Sequence, residues 1–298
     1  MKRASSIGLF SSDPWSARVA KLGQAFRKFE VDVINVLPWK VAREGSSKHH
    51  VISMDGKDLS RLDRLIVLDL GANDIGAFFN RVGLLSALAE MDVEIINPVN
   101  SILVMRNKAE TMRKLASAKV EVPKTLITES IDDAANFIRQ NFPCILKPIT
   151  GFGGEGVQLI DKQFDIDNVY DYLKFHSQMF GKGAYLLQEY IRNPGYDIRA
   201  LVLESQVIAT MQRVGTHGVV TNLHSGGFPR KNDIDVNEVA LRAAASVRGR
   251  LVGVDLIPDL EGVIWVLEVN ATPGWTGIQK VTDFDISERI ADVLSRNR

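Results

Sequence analysis

Glu268 and Asn270 place a carboxylate and a carboxamide two positions apart in the run LEVNATPGW. Residues two apart in an extended chain point to the same face, so these side chains are expected to lie next to each other. Asp255 joins them if its own strand-like run, LVGVDLI, pairs with theirs across the turn PDLEG. Hard oxygen ligands of this kind, together with phosphate oxygens, suit magnesium. The alternative is a set of ordinary polar residues on the solvent face of a half-buried strand.

A glycine-rich stretch, Thr150 to Gly156 (TGFGGEG), lies between two strand-like runs, CILKPI and VQLI. A dinucleotide fingerprint would open a helix instead, and a P-loop would end in Gly-Lys-Ser or Gly-Lys-Thr. The stretch therefore predicts a flap whose backbone N–H groups close over phosphates, with Lys147 nearby as a point charge. We expect the flap to be mobile when empty and ordered when nucleotide is bound. A glycine hairpin without a ligand is the alternative.

Further polar residues interrupt apolar runs between positions 147 and 270. Burying ionisable groups is costly unless they are paired or bind ions. One shared site that binds a polyanion and a metal explains such a set better than a chance collection of unrelated polar residues does. The set comprises Lys147, Glu189, Asp197, Arg199, Arg213, Asn222, Asp255, Glu268 and Asn270.

The elements that must carry these residues begin with an alternating pattern. Amphipathic segments at Trp15–Phe29 and Phe78–Glu90 separate the strand-like runs SIGLF, VDVINVL, LDRLIVLDL and VEIINP. This alternation is typical of an α/β layer with a largely parallel sheet.

Beyond residue 100 the pattern predicts both helices and strands. We expect helices at Asn100–Lys119, Ile131–Gln140 and Val236–Arg250, the second opened by Ser130, and strands at CILKPI, VQLI, Tyr185–Ile191, Ile198–Glu204, Leu251–Ile257 and Gly262–Asn270. With 298 residues, the chain is near the size at which one core divides, so two or three lobes are expected.

Composition and charge favour some classes of function over others. Lys plus Arg and Asp plus Glu number 36 each, so no overall field recruits nucleic acid or an anionic membrane. The single cysteine, Cys144, excludes an internal disulfide and is expected to be an inert core residue. The sequence contains no signal peptide and no apolar stretch of about 18 residues, which predicts a soluble cytoplasmic protein. The sequence contains no convincing Ser-His-Asp or Cys-His set, so we expect no side-chain nucleophile.

Taken in order, these motifs resemble the ATP-grasp superfamily, and specifically its RimK-like α-L-glutamate ligases. The motifs are Lys147 before the glycine loop, QEYI with a following DIR, TNLHSGG, GVDLI and LEVNATPGW, and the ending VNATPGWTGIQKVTDFDIS is most similar to ligases that act on pterin-type cofactors. The resemblance implies an ATP-grasp fold with a pre-ATP-grasp α/β domain over residues 1–99. It also implies a central lobe with the glycine lid over 100–187 and a lobe with the metal site over 188–298.

The resemblance also implies a role for each residue of the site. Lys108 and Lys147 contact the ATP phosphates, with Gly153 and Gly154 in the lid. The segment Gln188, Glu189, Tyr190 and Ile191 receives adenine, Asp197 lies near the ribose, and Asn222 reaches phosphate and metal. Asp255, Glu268 and Asn270 hold two ions of Mg²⁺ or Mn²⁺. Arg199 and Arg213 stabilise charge on the acyl phosphate and on the tetrahedral intermediate.

One departure from the family pattern concerns TNLHSGG. Relatives carry a basic residue where this chain has Val220 and an arginine where it has Ser225, and the preceding stretch is shortened. His217, His224 or Arg230 substitutes for the missing charge, or activity is altered. An ordinary surface histidine is the alternative for each of the two histidines.

The implied reaction is amide formation through an acyl phosphate, with L-glutamate as the amine and a small-molecule carboxylate, a pterin- or deazaflavin-type cofactor, as acceptor. The resemblance also implies a homo-oligomer, dimer or tetramer, without nucleic-acid or membrane partners. A ligase acting on a protein or carrier-protein tail is one alternative; its acidic product would favour a basic cleft, so the balanced charge favours the small molecule. A non-catalytic nucleotide-binding module is the other.

Overall fold

A parallel α/β layer forms from the first hundred residues. A computed structural model describes residues 5–46, 49–71, 74–149, 154–161, 166–181, 183–215 and 227–296. In chain order the first elements are β1 (Ser6–Phe10), α1 (Ala17–Lys28), β2 (Asp32–Val36), β3 (Ala42–Ser46), β4 (His49–Met54), β5 (Lys57–Asp58), β6 (Arg64–Val67), α2 (Ile75–Glu90), β7 (Glu94–Ile96) and α3 (Val99–Arg106). The strands of the main sheet have the order β2-β1-β6-β7 and are parallel throughout, which confirms the predicted α/β layer.

The middle of the chain forms two further sheets. Its elements are α4 (Lys108–Ser117), β8 (Thr125–Thr128), α5 (Ile131–Gln140), β9 (Cys144–Lys147), β10 (Gln158–Ile160), α6 (Val169–His176), β11 (Tyr185–Glu189), β12 (Tyr196–Leu203), β13 (Gln206–Val214), β14 (Phe228–Lys231), α7 (Asn237–Ser246), β15 (Leu251–Pro258) and β16 (Ile264–Asn270). One sheet has the order β10-β9-β11-β8, with all neighbouring strands antiparallel. The other has the order β14-β13-β12-β15-β16, in which β14-β13, β13-β12 and β15-β16 are antiparallel pairs. Two short helices follow, α8 (Thr276–Gln279) and α9 (Ile286–Arg296).

By the proximity of its Cα atoms, the chain divides into two units. Unit 1 takes the described residues of Met1–Ile102, Gly249–Leu251 and Thr272–Arg298, and unit 2 takes those of Leu103–Arg248 and Val252–Ala271. In unit 1, α9 packs against α1 and buries Ile286, Ile290 and Leu294. Unit 2 contains the two antiparallel sheets, and therefore every described residue that the sequence proposes for the site.

Side chains at helix starts explain several element boundaries. The Asp74 carboxylate accepts a hydrogen bond from the Ala77 N–H at 2.8 Å at the start of α2, and the Ser130 hydroxyl accepts one from Asp133 N–H at 3.2 Å at the start of α5. Asn107 caps α4 in the same way. The single helix predicted over residues 100–119 was therefore wrong, because Asn107 adopts an extended conformation that ends α3 and begins α4.

Buried apolar side chains surround Cys144, as predicted. Its side chain is fully buried in a cluster that includes Ile138, Leu146 and Leu187, and burial raises the pKa of its thiol to about 12. A thiol of this kind is a packing residue rather than a nucleophile. Across the described residues, every helix is too short or too polar to traverse a lipid bilayer.

Candidate functional site

Glu268 and Asn270 lie side by side on β16. The Asn270 Nδ2 donates a hydrogen bond to Glu268 Oε1 at 3.0 Å, and Asp255 of β15 is the cross-strand neighbour of Glu268. The hairpin between the strands turns at Asp259, whose carboxylate accepts hydrogen bonds from the N–H groups of Glu261 and Val263. The hairpin thus places three side chains with oxygen donors on one face of the five-stranded sheet.

Two arginines occupy the same face on the neighbouring strands. Arg199 of β12 forms a bidentate ion pair with Asp255, and its Nη2 lies 2.8 Å from Oδ2. Arg213 of β13 forms a second bidentate pair with Asp197, with both N···O distances at 2.6 Å, and its Nη2 lies 3.0 Å from Asp255 Oδ2. All four side chains are largely or fully buried. Neither arginine uses its Nη1 group in these pairs.

Electrostatics hold this network in its charged form. Burial acts to raise the pKa of Asp255, but the charges of Arg199 and Arg213 and hydrogen bonds from both outweigh burial and lower it. Burial likewise acts to lower the pKa of Arg213, and the charges of Asp255 and Asp197 raise it above its ordinary value. Asp255 and Arg213 therefore both stay ionised at neutral pH.

Asp255 keeps some capacity to accept a further bond. Among the described residues, its Oδ2 receives two N–H groups, from Arg199 and Arg213, whereas its Oδ1 receives one, from Arg199. A carboxylate oxygen has about two lone pairs, so Oδ1 retains room for another partner. Within the described part of the chain, no three His, Cys, Asp or Glu side chains converge as a metal site. The oxygen donors on this face are two carboxylates and one carboxamide.

Lys147 reaches the site from β9 in the other sheet of unit 2. Its Nζ donates a hydrogen bond to Gln188 Oε1 at 2.5 Å. The buried Gln188 amide is fixed from its other end, because Nε2 donates to Thr125 Oγ1 at 3.0 Å and lies 3.4 Å from Met112 Sδ. Gln188 therefore holds the Lys147 ammonium in place, a contact that motif spacing did not reveal.

The charge on Lys147 responds to the groups around it. Burial lowers the pKa of its ammonium to about 8, the negative charges of Glu268 and Asp255 act in the opposite direction, and the positive charge of Lys108 lowers it further. These interactions bring the two lysines and the two carboxylates into one electrostatic site. The backbone N–H of Lys108, at the start of α4, donates to the Ile149 carbonyl.

The segment predicted to receive adenine connects the two sheets of unit 2. Glu189 ends β11, and its N–H donates to the Lys124 carbonyl at 2.9 Å. Tyr190 follows, and the Ile191 carbonyl accepts a hydrogen bond from Asn193 Nδ2 at 3.0 Å. Main-chain groups of such a connection are suited to bind the edge of a base.

The described end of the glycine stretch has the conformation that only glycine adopts easily. Gly154 and Gly156 have φ values of +79° and +73°. The Gly156 carbonyl lies 2.7 Å from Nε2 of the buried His176, and a Cβ on Gly156 would lie 2.8 Å from the Phe180 ring. β9 and β10 pair as an antiparallel hairpin around this stretch, as predicted. His176 and Phe180 hold it at one end, and no sequence motif marked either residue.

Several predicted residues lie outside the described part of the chain. These are Gly153 and Asn222 of the proposed site, and Val220, Ser225, His217 and His224 of the family departure. Arg230 is described and lies on the other face of the sheet from Arg213: it pairs with Gln212, donates to Gln212 Oε1 at 2.7 Å and lies over the Tyr196 ring. Arg230 therefore does not replace the missing basic residue on the face of the site.

Comparison of the sequence with known proteins places the chain in a family. A sequence model of the RimK-like ATP-grasp domain matches residues 105–294. The tetrahydromethanopterin:α-L-glutamate ligase of Methanocaldococcus jannaschii is 32% identical over 283 residues, which cover 93% of this chain and 94% of that protein. The α-aminoadipate–LysW ligase LysX of Sulfolobus acidocaldarius is 28% identical over 67% of this chain and 73% of its own.

A solved structure supports the fold. The ATP-grasp ligase PsnB, complexed with a phosphomimetic variant of its minimal precursor, Mg and ADP, aligns with a TM-score of 0.73 and 21% identity over 99% of each chain. At that identity the likeness establishes the ATP-grasp fold, which confirms the predicted fold class.

Proposed function

The chain belongs to the RimK-like ATP-grasp family, and from this premise we propose that it joins L-glutamate to the carboxylate of a pterin-type acceptor. By its family and relatives, the protein is a glutamate ligase of the ATP-grasp type, which forms a C–N bond at the expense of ATP. Support for the pterin-type acceptor is the similarity, over almost the whole chain, to a ligase named for tetrahydromethanopterin.

One observation carries the assignment of the site. Lys147 stands opposite a row of carboxylates and arginines on a single sheet face, so cations and metal-binding oxygens surround one space. Such an arrangement neutralises a triphosphate while it transfers a phosphoryl group.

The oxygen donors on this face fit magnesium. Glu268 and Asn270 would hold the ion, and Asp255 would contribute Oδ1, because two carboxylates and a carboxamide supply the hard oxygen ligands that magnesium prefers beside phosphate oxygens. When bound, magnesium polarises the phosphoryl oxygens and neutralises their charge. The use of ATP and magnesium is typical of the family, and PsnB was solved with both Mg and ADP. The proposal includes two metal ions at this site, which are Mg²⁺ or Mn²⁺.

The protein residues position the reactants for two successive steps. Lys108 and Lys147 hold the phosphates while the acceptor carboxylate attacks the γ-phosphorus and ADP leaves. Arg199 and Arg213 then stabilise the negative charge that develops when the glutamate amine attacks the acyl phosphate and expels phosphate, using the Nη1 groups outside their ion pairs. Asp197 near the ribose, Gln188 to Ile191 at adenine, and the lid glycines complete the proposed roles.

Further parts of the proposal concern organisation. The division into residues 1–99, 100–187 and 188–298, a cytoplasmic location and a dimeric or tetrameric assembly are all inferred from the sequence and its family. A protein or carrier-protein tail is the second candidate acceptor, and the relative LysX is named as an α-aminoadipate–LysW ligase. A nucleotide-binding module without turnover is the third candidate function.

The decisive experiment measures ADP release with ATP, magnesium and glutamate against a panel of acceptors. Release that requires both glutamate and a pterin-type carboxylate supports the proposal. Release that requires a carrier protein favours the second candidate. Nucleotide binding without release under any condition would leave the non-catalytic module.

The metal assignment has its own test. Glu268→Gln should abolish magnesium-dependent ADP release while the protein remains folded, because it removes an anionic ligand without changing the size of the side chain. Glu261→Gln, in the exposed hairpin turn, is the matched control. Full activity in Glu268→Gln would exclude this residue as a ligand.

A further inference from the structure

A lysine at one edge of the five-stranded sheet lies on the same face as the two site arginines. Residues that are directly paired across an antiparallel sheet share a face. The register pairs Arg199 of β12 with Met211 of β13, and Met211 with Lys231 of β14. The ion pair between Arg199 and Asp255 continues this row into β15, and Asp255 is paired in turn with Glu268 of β16. One row of side chains therefore crosses the whole sheet and ends at Lys231.

The contacts of the preceding residue, Arg230, support this assignment of faces. Arg230 donates to Gln212 Oε1 at 2.7 Å and lies over the Tyr196 ring, and both partners belong to the face opposite the arginine pairs. Successive residues of a strand point to opposite faces of the sheet. Lys231 therefore lies on the face of the site.

Lys231 differs from the two arginines because it lacks an anionic partner. The Arg199 and Arg213 guanidinium groups are paired with the buried carboxylates of Asp255 and Asp197. Lys231 is exposed, and within the described part of the chain no carboxylate forms an ion pair with its ammonium. The row thus has carboxylates at the β16 edge, compensated cations in the middle and an uncompensated cation at the β14 edge. Such a cation is suited to an anionic group that lies apart from the metal and the phosphates.

L-Glutamate brings a group of this kind to the reaction. In the proposed mechanism its amine attacks the acyl phosphate beside Arg199 and Arg213, so its side-chain carboxylate extends away from them. Lys231 is two strands from Arg199, a backbone separation of about 10 Å. Its flexible four-carbon stem can place the ammonium within that interval. Met211 lies between the two cations in the row and has an uncharged, largely buried side chain, so it does not compete for the carboxylate.

We propose that Lys231 binds the side-chain carboxylate of L-glutamate and thereby selects an acidic amino acid as the amine substrate. This inference rests on the proposed function and deepens it by assigning a residue to the choice of amino acid. The neutral side chain of L-glutamine would leave the ammonium without an anionic partner. The position of Lys231, at the opposite end of the row from Glu268, argues against a role in binding the ATP phosphates.

The first test measures binding of L-glutamate and L-glutamine to the full-length protein by calorimetry, with ADP and magnesium present. Lys231→Met should weaken glutamate binding roughly tenfold, the effect of one hydrogen bond to a charged group, and leave glutamine binding unchanged. Arg230→Met is the matched control, because it removes the same charge from the same strand on the other face; both affinities should stay unchanged. Thermal unfolding checks that the variants are folded.

Three results of this titration would overturn the proposal. One is equal glutamate affinity in the wild type and Lys231→Met, and another is no binding of glutamate to the wild type. The third is an equal loss of affinity for glutamate and glutamine in Lys231→Met, which would assign Lys231 to a group that the two amino acids share.

Steady-state kinetics separate this assignment from the proposed function. With any acceptor that supports ADP release, Lys231→Met should raise the KM for glutamate roughly tenfold and leave the KM for ATP unchanged. A higher KM for ATP with an unchanged KM for glutamate would overturn the proposal in favour of phosphate binding. If only a carrier protein is ligated, the pterin-type acceptor is wrong, and the KM for glutamate still decides the role of Lys231. If no acceptor is ligated, the proposed function fails, and the titration alone decides that role.

Discussion

Lys147 is a cation whose charge depends on pH in the range of ordinary assays. Its pKa of about 8 is below the usual 10.5 because burial disfavours the ammonium. Phosphates favour the charged form, so ATP binding should take up a proton above pH 8. We expect the Kd for ATP to be nearly constant from pH 6 to 7.5 and to rise above pH 8, by up to about tenfold per pH unit. Calorimetry across this range measures it.

Lys147→Arg is the control for this prediction, because arginine remains charged throughout the range. Its ATP affinity should lack the dependence on pH above 8. Lys147→Ala should lose the charge-assisted hydrogen bond to phosphate, worth about 1.5 to 3 kcal/mol. An identical pH profile in the wild type and Lys147→Arg would assign the titration to another group.

Arg213 has a structural consequence besides its proposed role. Replacing it by Met leaves Asp197 without its bidentate partner and Asp255 with one arginine fewer, both in a buried setting. Breaking such a network costs about 3 to 5 kcal/mol of unfolding free energy. Arg113→Met, which removes an exposed pair with Glu110, should cost about 1 kcal/mol or less. Urea denaturation compares the two variants; equal losses would mean that the buried pairs add no more stability than the exposed pair does.

The sequence predicted some of these residues and not their pairing. Glu268 and Asn270 could be placed together because alternation along a strand fixes which side chains share a face. The pairing of Arg199 with Asp255 could not be predicted, because the two residues are 56 positions apart and their strands are adjacent only in the folded sheet. No sequence pattern predicted strand β13, so the sequence could not place Arg213 on the sheet.

Among the elements, the glycine hairpin depends on a helical turn that no sequence pattern identified. Gly156 lies against Phe180 in the π-helical turn that follows α6. Gly156→Ala should destabilise the fold in two ways, through backbone strain at a positive φ and through a steric clash with the Phe180 ring. Gly183→Ala is the matched control, since Gly183 has a φ of +99° and, among the described residues, nothing lies within 4 Å of the place that its Cβ would take.

We therefore expect Gly156→Ala to lower the melting temperature more than Gly183→Ala. The strain of a left-handed alanine costs about 1 to 2 kcal/mol in both, and only Gly156→Ala must also displace Phe180. It should also lower ligation more than nucleotide binding, because His176 and Phe180 set the end of the flap. Equal melting temperatures would show that Phe180 moves aside without cost.

Sequence patterns identified the elements with apolar periodicity and missed those without it. β3 has the sequence AREGS and is exposed along its whole length, so no alternation marked it. α5 was placed correctly because Ser130 caps an amphipathic segment. The boundary at Asn107 was missed because α3 and α4 are both helical and only the cap separates them.

At the scale of the whole molecule, unit 1 depends on a helix that is distant in sequence. α9 buries Ile290, which is fully inaccessible to solvent, against unit 1. Ile290→Ala should lower the unfolding free energy by about 2 to 5 kcal/mol through lost burial and a cavity. Glu288→Ala, on the same helix, removes only an exposed ion pair with Lys28 and should cost less than about 1 kcal/mol.

Denaturation followed by near-UV circular dichroism compares these variants. Trp275 is a suitable reporter because it is buried in unit 1 and donates to Ser287 Oγ of α9. A loss in Ile290→Ala no larger than that in Glu288→Ala would mean that α9 is not part of the folded core.

Unit 1 is assembled from segments that lie far apart in the chain, and this affects how it folds during synthesis on the ribosome. The strands of its parallel sheet emerge first, but α9 emerges only after all of residues 103–271 have been made. At a synthesis rate of about 5 to 20 residues per second, roughly 10 to 40 s pass between synthesis of the sheet and synthesis of the helix that covers α1. Unit 2, complete in the meantime, can fold before unit 1 closes. The nascent sheet with its uncovered apolar face is thus the species that a chaperone would meet.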